Sequence, residues 1–116
     1  MATIEVSTRP TDAGVVLDLV GDIDAAARGA LDAAYSEAAP AAGREVVLDF
    51  SRVGYINSTG IALIVGLLAR ARSEQVRVGA RGLSDHYRGI FEITRLSDFM
   101  TIYPAMPSDP DRRNER

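Results

Sequence analysis

Several residue types are rare or missing in this chain of 116 residues, and each gap excludes a class of chemistry. The chain has no cysteine, which excludes disulfide frameworks, cysteine-ligated zinc and thiol nucleophiles. All thirteen basic residues are arginine, so a lysine Schiff base and a P-loop are both ruled out. A single histidine is too few for a histidine-based metal site, and we expect no metal and no cofactor.

Net charge and hydropathy narrow the class of protein further. The formal net charge is −3, whereas proteins that neutralise nucleic-acid phosphates are basic, so no nucleic-acid partner is expected. The longest apolar stretch, residues 61–69, is much shorter than the about 20 residues that cross a membrane. The first residues, MATIEVSTRP, lack the apolar segment of a signal peptide. These features predict a cytoplasmic protein that does not associate with a membrane.

Composition also predicts the domain organisation. An apolar fraction of 47% and a charged fraction of 25% are ordinary for a folded protein, and the length fits one domain. We expect this domain to occupy residues 1–103. Residues 104–116, PAMPSDPDRRNER, combine three prolines with charges of both signs and are predicted to be disordered.

Hydrophobic periodicity alternates between strand-like and helix-like along the domain. Strands are predicted at residues 4–10, 15–20, 46–50, 76–80 and 99–103. Helices are predicted from an N-cap at Asp24 to a stop at Pro40 and Gly43, from Asn57 or Ser58 to about Arg72, and after Ser84 or Asp85. The order ββαβαβαβ predicts a small α/β sandwich, in which helices pack on a mixed, mostly parallel sheet of about five strands.

The second predicted helix is apolar on more sides than a helix that covers one face of a sheet needs. One stripe is expected to face the sheet: Ile61, Ile64, Val65, Leu68 and Ala71. Leu63 and Leu67 fall outside this stripe. The remaining side carries Ala62, Gly66 and Ala69. Either the helix is wedged between the sheet and a neighbouring helix, or its additional apolar side contacts a partner protein.

The polar residues Asn57, Ser58, Thr59 and Gly60 stand directly before this apolar helix. Asn57 or Ser58 is suited to cap the helix, because its side chain can accept a bond from a free backbone N–H. One cap leaves the other polar side chains unexplained. A helix N-terminus accommodates a phosphate well, and a phosphoserine there would place up to about two negative charges beside the apolar surface. Simple capping and a phosphorylation switch both fit these residues.

Three segments in a fixed order carry a family resemblance. VVLDFSRVGYI, followed by Asn-Ser-Thr-Gly and an apolar helix, resembles the phosphorylation-site region of STAS domains, especially the stand-alone bacterial anti-sigma-factor antagonists. VLDLVGDIDAAA is similar to the second strand of that family and the acidic segment after it. VRVGARGLSDHYRGIFEITRLSDFMTIY is similar to a later strand, a helix and the final strand. The resemblance covers residues 4–103 and implies a STAS-type sandwich.

The resemblance implies a regulator that is not an enzyme. Its phospho-acceptor would be Ser58, with Thr59 as the lesser candidate, and Asp24 matches an acid near the phosphorylation site. The partner would be a serine kinase that is also an anti-sigma factor. The unphosphorylated antagonist would bind this kinase and release sigma, phosphorylation would end the association, and a serine phosphatase would reset the cycle. A homo-oligomer is compatible with the sequence. The expected partner-binding residues are Asp22, Asp24, Asn57, Thr59, Gly60, Ile61, Ala62, Leu63 and Gly66.

Two features depart from the family pattern. Asn57 stands where the family usually has aspartate, which removes a charge that would repel a phosphate and changes the loop that a kinase recognises. The family usually ends in a helix, which Pro104, Pro107 and Pro110 disfavour here.

Two other functional classes compete with the phosphorylation switch. A hydrolase would need a base beside its nucleophile, but Ser58 lies outside a G-x-S-x-G elbow, and His86 is expected to be a surface or capping residue. A STAS scaffold or sensor module would use the same helix start to bind proteins or a small anionic ligand without phosphorylation. Such a module would keep all its protein contacts when Ser58 is replaced by aspartate.

Overall fold

A computed structural model describes residues 4–12, 14–42 and 45–104. In chain order its elements are β1 (Glu5–Thr11), β2 (Gly14–Ile23), α1 (Arg28–Ala42), β3 (Glu45–Ile56), α2 (Ser58–Ser73), β4 (Arg77–Arg81), α3 (Asp85–Ile93) and β5 (Thr101–Ile102). Short 3-10 turns precede α1 at Ala25–Ala27 and follow α3 at Leu96–Asp98. The predicted α/β sandwich and its element order are confirmed. No helix in these ranges is both long enough and apolar enough to cross a membrane.

The strands lie in the sheet in chain order, from β1 at one edge to β5 at the other. β1 and β2 form an antiparallel hairpin, and every later neighbour is parallel, which gives the mixed, mostly parallel sheet that the sequence predicts. The parallel strands β2, β3 and β4 therefore end at the same edge of the sheet. The loops that follow these three strands lie side by side at that edge.

The core lies between the helices and one face of the sheet. Alternate residues of the central strands point into it, among them Leu17 and Leu19 of β2 and Leu48 of β3. Tyr35 of α1 and Phe91 of α3 are among its largest fully buried side chains. Alternation along a strand sends every second side chain to the same face, so this pattern accounts for a two-layer arrangement.

The opposite face of the sheet carries paired charges. Asp18 of β2 and Asp49 of β3 are direct cross-strand neighbours, a placement in which two carboxylates repel each other. Each has an arginine on its outer side: Arg9 donates to Asp18 from two nitrogens at 3.1 Å, and Arg81 donates to Asp49 at 2.9 Å. The four side chains form a row in which each aspartate is neutralised by an arginine of the next strand outward.

Several predicted boundaries were wrong. β3 continues to Ile56 instead of ending near Phe50, because pairing with β2 holds its second half in extended conformation. α1 passes Pro40 and ends at Ala42, between the two predicted stop residues. The proline lies in the last turn, where it removes one backbone donor, and the buried Ala38 keeps that turn on the core. The predicted stop at Gly43 lies outside the described residues.

The last two strands also differ in their limits from the prediction. β4 begins at Arg77, one residue after Val76, and β5 is reduced to Thr101–Ile102. Within the part of the chain that the structure describes, β5 pairs with β4 alone and over two positions, so residues 99–103 do not form a full strand. The predicted disorder of residues 104–116 falls outside the described residues except at Pro104.

Candidate functional site at the start of helix α2

Asn57 is the residue that caps α2. Its backbone is extended, and its Oδ1 accepts a hydrogen bond from the Gly60 N–H at 2.8 Å. Ser58, the sequence's other capping candidate, is instead the first residue of the helix. Ser58 and Thr59 are both exposed, and neither hydroxyl forms a hydrogen bond among the described residues. The cap therefore leaves both hydroxyls open to a reacting partner.

Gly60 places the start of α2 directly against the end of β2. A Cβ at this position would lie well inside van der Waals contact with the carbonyl oxygen of Ile23. The same carbonyl accepts a hydrogen bond from the Asn57 N–H at 3.2 Å. Gly60 is thus required by the close approach of two backbone segments, a role that glycine alone can fill without displacing them.

The two predicted acids flank Ile23 and so lie beside this helix start. Asp24 is the predicted N-cap: its carboxylate accepts a hydrogen bond from the Ala26 N–H at 3.0 Å and caps the 3-10 turn before α1. Asp22 is half-buried on β2, and its Oδ1 is 3.0 Å from the place where a Cβ on Gly54 would be. The fold therefore brings the backbone of the 22–24 segment to the Asn57–Gly60 turn, while the Asp24 carboxylate is engaged in its own turn.

A groove between α1 and α2 collects the predicted apolar partner residues. It has a volume of about 220 Å³, and Ala62, Leu63 and Gly66 line it on the α2 side. Arg28 and Asp32 of α1 line the other side. Ile61, also predicted to contact a partner, is half-buried against the core. The groove begins one turn after Ser58, so a protein that covers it must also approach that serine.

The far end of the groove is organised by Arg70. Its guanidinium donates to Ser36 at 3.0 Å and to Glu74 at 3.1 Å, and it lies 4.7 Å from the centre of the Tyr35 ring. The Tyr35 hydroxyl also donates to Glu74, at 3.0 Å. Burial, together with this hydrogen bond, raises the pKa of Tyr35 to about 12. These contacts link α1 to α2 and fix the width of the groove.

The predicted core stripe of α2 was wrong at two positions. Leu67, placed outside the stripe, is 6% exposed, and Val65, placed within it, is 46% exposed. The buried positions of the helix run through Ile64, Leu67, Leu68 and Ala71. The reason is α1, which lies beside α2 and covers the Leu67 side of it. Leu67 packs inward, as expected for a helix wedged beside a neighbouring helix, while Ala62 and Gly66 are exposed, and a partner contact at these two residues stays a prediction.

Tyr87 also belongs to this site. The Ile56 N–H donates to its hydroxyl oxygen at 2.8 Å, and the hydroxyl lies 3.4 Å from the Ile56 carbonyl oxygen. Ser84, and not Asp85, caps the helix that carries it, by accepting from the Tyr87 N–H at 3.2 Å. His86 is exposed, as expected, with its ring edge-on to that of Tyr87 at 4.8 Å. No sequence motif marks a tyrosine hydroxyl that reaches a strand end 31 residues away.

Sequence comparisons identify the family, and comparisons with solved structures show the same fold in other proteins. The family model described as "Mlab, STAS domain" matches residues 6–103. An anti-sigma-B factor antagonist of Listeria monocytogenes is 33% identical over 100 residues, which are 86% of this chain and 87% of that protein. The fold resembles that of the anti-sigma factor antagonist SpoIIAA in its unphosphorylated form, with a TM-score of 0.66, 20% identity and 96% of each chain covered. The phosphorylated form of this Bacillus cell fate determinant gives a TM-score of 0.64 at 22% identity, with coverage of 96% of this chain and 98% of that one.

Proposed function

Because this chain belongs to the STAS-domain family of anti-sigma-factor antagonists, we propose that it works in the cytoplasm as a phosphorylation-controlled partner switch. In this proposal the unphosphorylated protein binds an anti-sigma factor that is also a serine kinase, and sigma is released. Transfer of a phosphoryl group from ATP to Ser58 ends the association, and a serine phosphatase restores the binding form. The chain itself catalyses no reaction.

The observation that carries the proposal is that the Ser58 hydroxyl is exposed and has no capping role. Its hydroxyl is exposed on the first turn of α2, and the capping function falls to Asn57, so modification of Ser58 removes no hydrogen bond of the fold. A phosphate at this position would lie at the positive end of the helix dipole and near free backbone N–H groups, which stabilise it. The domain can therefore carry the phosphate without unfolding.

The groove between α1 and α2 supports the second half of the proposal. Its apolar α2 side, with Ala62, Leu63 and Gly66, begins one turn from Ser58. A partner that buries this surface must bring its own atoms close to the serine. Phosphorylation would add up to about two negative charges there, and desolvating those charges would oppose association. The other expected contacts, Asp22, Asp24, Thr59 and Gly60, surround the same helix start.

Asn57 is compatible with the switch. It forms the same cap that an aspartate would form, but without the negative charge. A phosphate on Ser58 would therefore meet less repulsion from its neighbour than in relatives with an acid at this position. We expect Asn57 to alter how strongly the kinase recognises the loop and to leave the site of transfer at Ser58.

The proposal is tested by phosphorylation in an extract of the source cells supplied with ATP. Intact-protein and peptide mass spectrometry should show one phosphate on the wild type, located at Ser58. The Ser58→Ala variant should gain none, and the Thr59→Ala variant should gain one as the wild type does. A wild-type protein that stays unmodified, or a Ser58→Ala variant that is modified as fully as the wild type, would contradict the proposal and favour a scaffold or sensor module.

A further inference from the structure

β3, the strand that leads to Ser58, is paired with a neighbouring strand on one side only over its second half. β3 pairs with β4 up to Asp49 and Arg81, and β4 then ends, while β3 continues to Ile56. On the β2 side the pairing extends to Ile23 and Ile56. Among the described residues, the second half of β3 therefore has no strand neighbour on the β4 side. At the end of this half stands Ile56, whose side chain is buried and which is followed directly by Asn57 and Ser58.

Tyr87 takes the place of the missing strand at Ile56. Its hydroxyl accepts from the Ile56 N–H at 2.8 Å and can donate to the Ile56 carbonyl oxygen, 3.4 Å away. A single hydroxyl thus serves the donor and the acceptor of one backbone unit, as a neighbouring strand would. The ring is held by α3, whose cap at Ser84 and buried Phe91 fix the helix against the core.

We propose that Tyr87 is a positioning residue for Ser58, an inference that rests on the proposed function. The turn Asn57–Gly60 is clamped between two contacts. On the β2 side the Ile23 carbonyl oxygen accepts from the Asn57 N–H and abuts Gly60. On the β4 side the Tyr87 hydroxyl holds Ile56. With both contacts in place, the first turn of α2 has one orientation, and the Ser58 hydroxyl is presented to the kinase without a prior ordering step.

The test compares Tyr87→Phe with Tyr103→Phe. Each substitution removes one hydroxyl that has a defined partner and retains the ring, but the Tyr103 hydroxyl bonds Glu45 at the start of β3, the opposite end of the strand from Ile56. Amide hydrogen exchange is measured by NMR at residues 56–60, and Ser58 phosphorylation is followed over time in source-cell extract with ATP. We expect Tyr87→Phe to exchange roughly tenfold faster at Ile56 and Asn57, the factor that corresponds to loss of one hydrogen bond. Phosphorylation should slow severalfold. Tyr103→Phe should retain wild-type behaviour in both measurements.

Two results would overturn the inference while leaving the proposed function intact. One is wild-type exchange at residues 56–60 in Tyr87→Phe, and the other is an equal slowing of phosphorylation in both phenylalanine variants. Thermal unfolding of both variants shows whether their overall stabilities match. If wild-type Ser58 gains no phosphate, the proposed function fails and the role toward Ser58 fails with it. The exchange rates then still decide whether the Tyr87 hydroxyl holds the turn.

Discussion

The carbonyl oxygen of Ile23 and the Cα of Gly60 lie so close together that no side chain fits between them. This contact joins the end of β2, with its two flanking acids, to the first turn of α2. It explains why the residues singled out at two distant places in the sequence belong to one site. It also distinguishes Gly60, which the fold requires, from Gly66, the other glycine of the same helix.

The contrast between Gly60 and Gly66 gives the first prediction. A Cβ on Gly60 would collide with the backbone of Ile23. A Cβ on Gly66 would meet no described atom within 4 Å beyond its chain neighbours and the nearby backbone of its own helix. We expect Gly60→Ala to lower the free energy of unfolding by roughly 1–3 kcal/mol through overpacking. Gly66→Ala should raise it by roughly 0.5–1 kcal/mol, because alanine is the better helix former. Urea unfolding of the two variants checks this. Equal stabilities would show that the Ile23 contact does not constrain the helix start.

The cap of α2 gives the second prediction. Asn57→Ala removes the acceptor for the Gly60 N–H and should cost about 1 kcal/mol of stability. Asn57→Asp retains the acceptor and adds a favourable charge at the positive end of the helix, so its melting temperature should be close to that of the wild type. Ser58→Ala serves as the control and should be nearly neutral. If Ser58→Ala destabilises as much as Asn57→Ala, Ser58 takes part in capping after all.

Acid stability gives the third prediction. Burial raises the pKa of Asp49, but hydrogen bonds from the Ser51 hydroxyl and N–H, and from Arg81, outweigh it and hold the pKa below its usual value. Since the folded pKa lies below the unfolded pKa of about 3.9, this carboxylate stabilises the fold above that pH, and the contribution is lost as the pH falls through the folded pKa. Unfolding by urea should therefore become easier as the pH drops below about 4.

The matched variant for this pH effect is Asp49→Asn. It should be less stable than the wild type at neutral pH, because Arg81 loses its partner, and its stability should vary less with pH in the acid range. A variant with the same acid slope as the wild type would assign the pH dependence to other carboxylates.

The groove between α1 and α2 gives the fourth prediction. Ala62 lines this groove, whereas Ala69, an exposed alanine two turns further along α2, lines a different apolar groove with Val65 and Phe99. We expect Ala62→Arg to weaken capture of the partner roughly tenfold or more, as loss of a central contact does. Ala69→Arg should capture it as well as the wild type. Both variants should have a free energy of unfolding within about 0.5 kcal/mol of the wild-type value, since both positions are exposed. Equal loss in the two variants would place the partner elsewhere.

Local patterns predicted the strand and helix types, their order and the cap at Asp24, because these depend on alternation and on side chains next to the backbone they serve. The rotation of α2 could not be predicted in the same way. Whether Leu67 or Val65 is buried depends on where α1 packs, which no pattern within the helix records. The length of β3 was missed for a related reason, since pairing with β2 and not local propensity extends it to Ile56.

In the candidate site, too, local features could be predicted from the sequence and long-range contacts could not. The Asn57–Gly60 turn and the apolar residues after it are contiguous in sequence and could be recognised from it. The contact between Gly60 and Ile23 and the bond from Ile56 to Tyr87 join residues that are 37 and 31 positions apart. Such contacts arise from the parallel order of the strands, which brings the loops after β2, β3 and β4 to one edge of the sheet.

The dependence of partner binding on Ser58 is measured by capturing partners from source-cell extract with the wild type, Ser58→Ala and Ser58→Asp, and identifying them by mass spectrometry. We expect the wild type and Ser58→Ala to retain an ATP-binding serine kinase and Ser58→Asp to lose it. If all three proteins retain the same partners, or none retains a kinase, Ser58 is not a switch, and the domain acts as a scaffold or sensor.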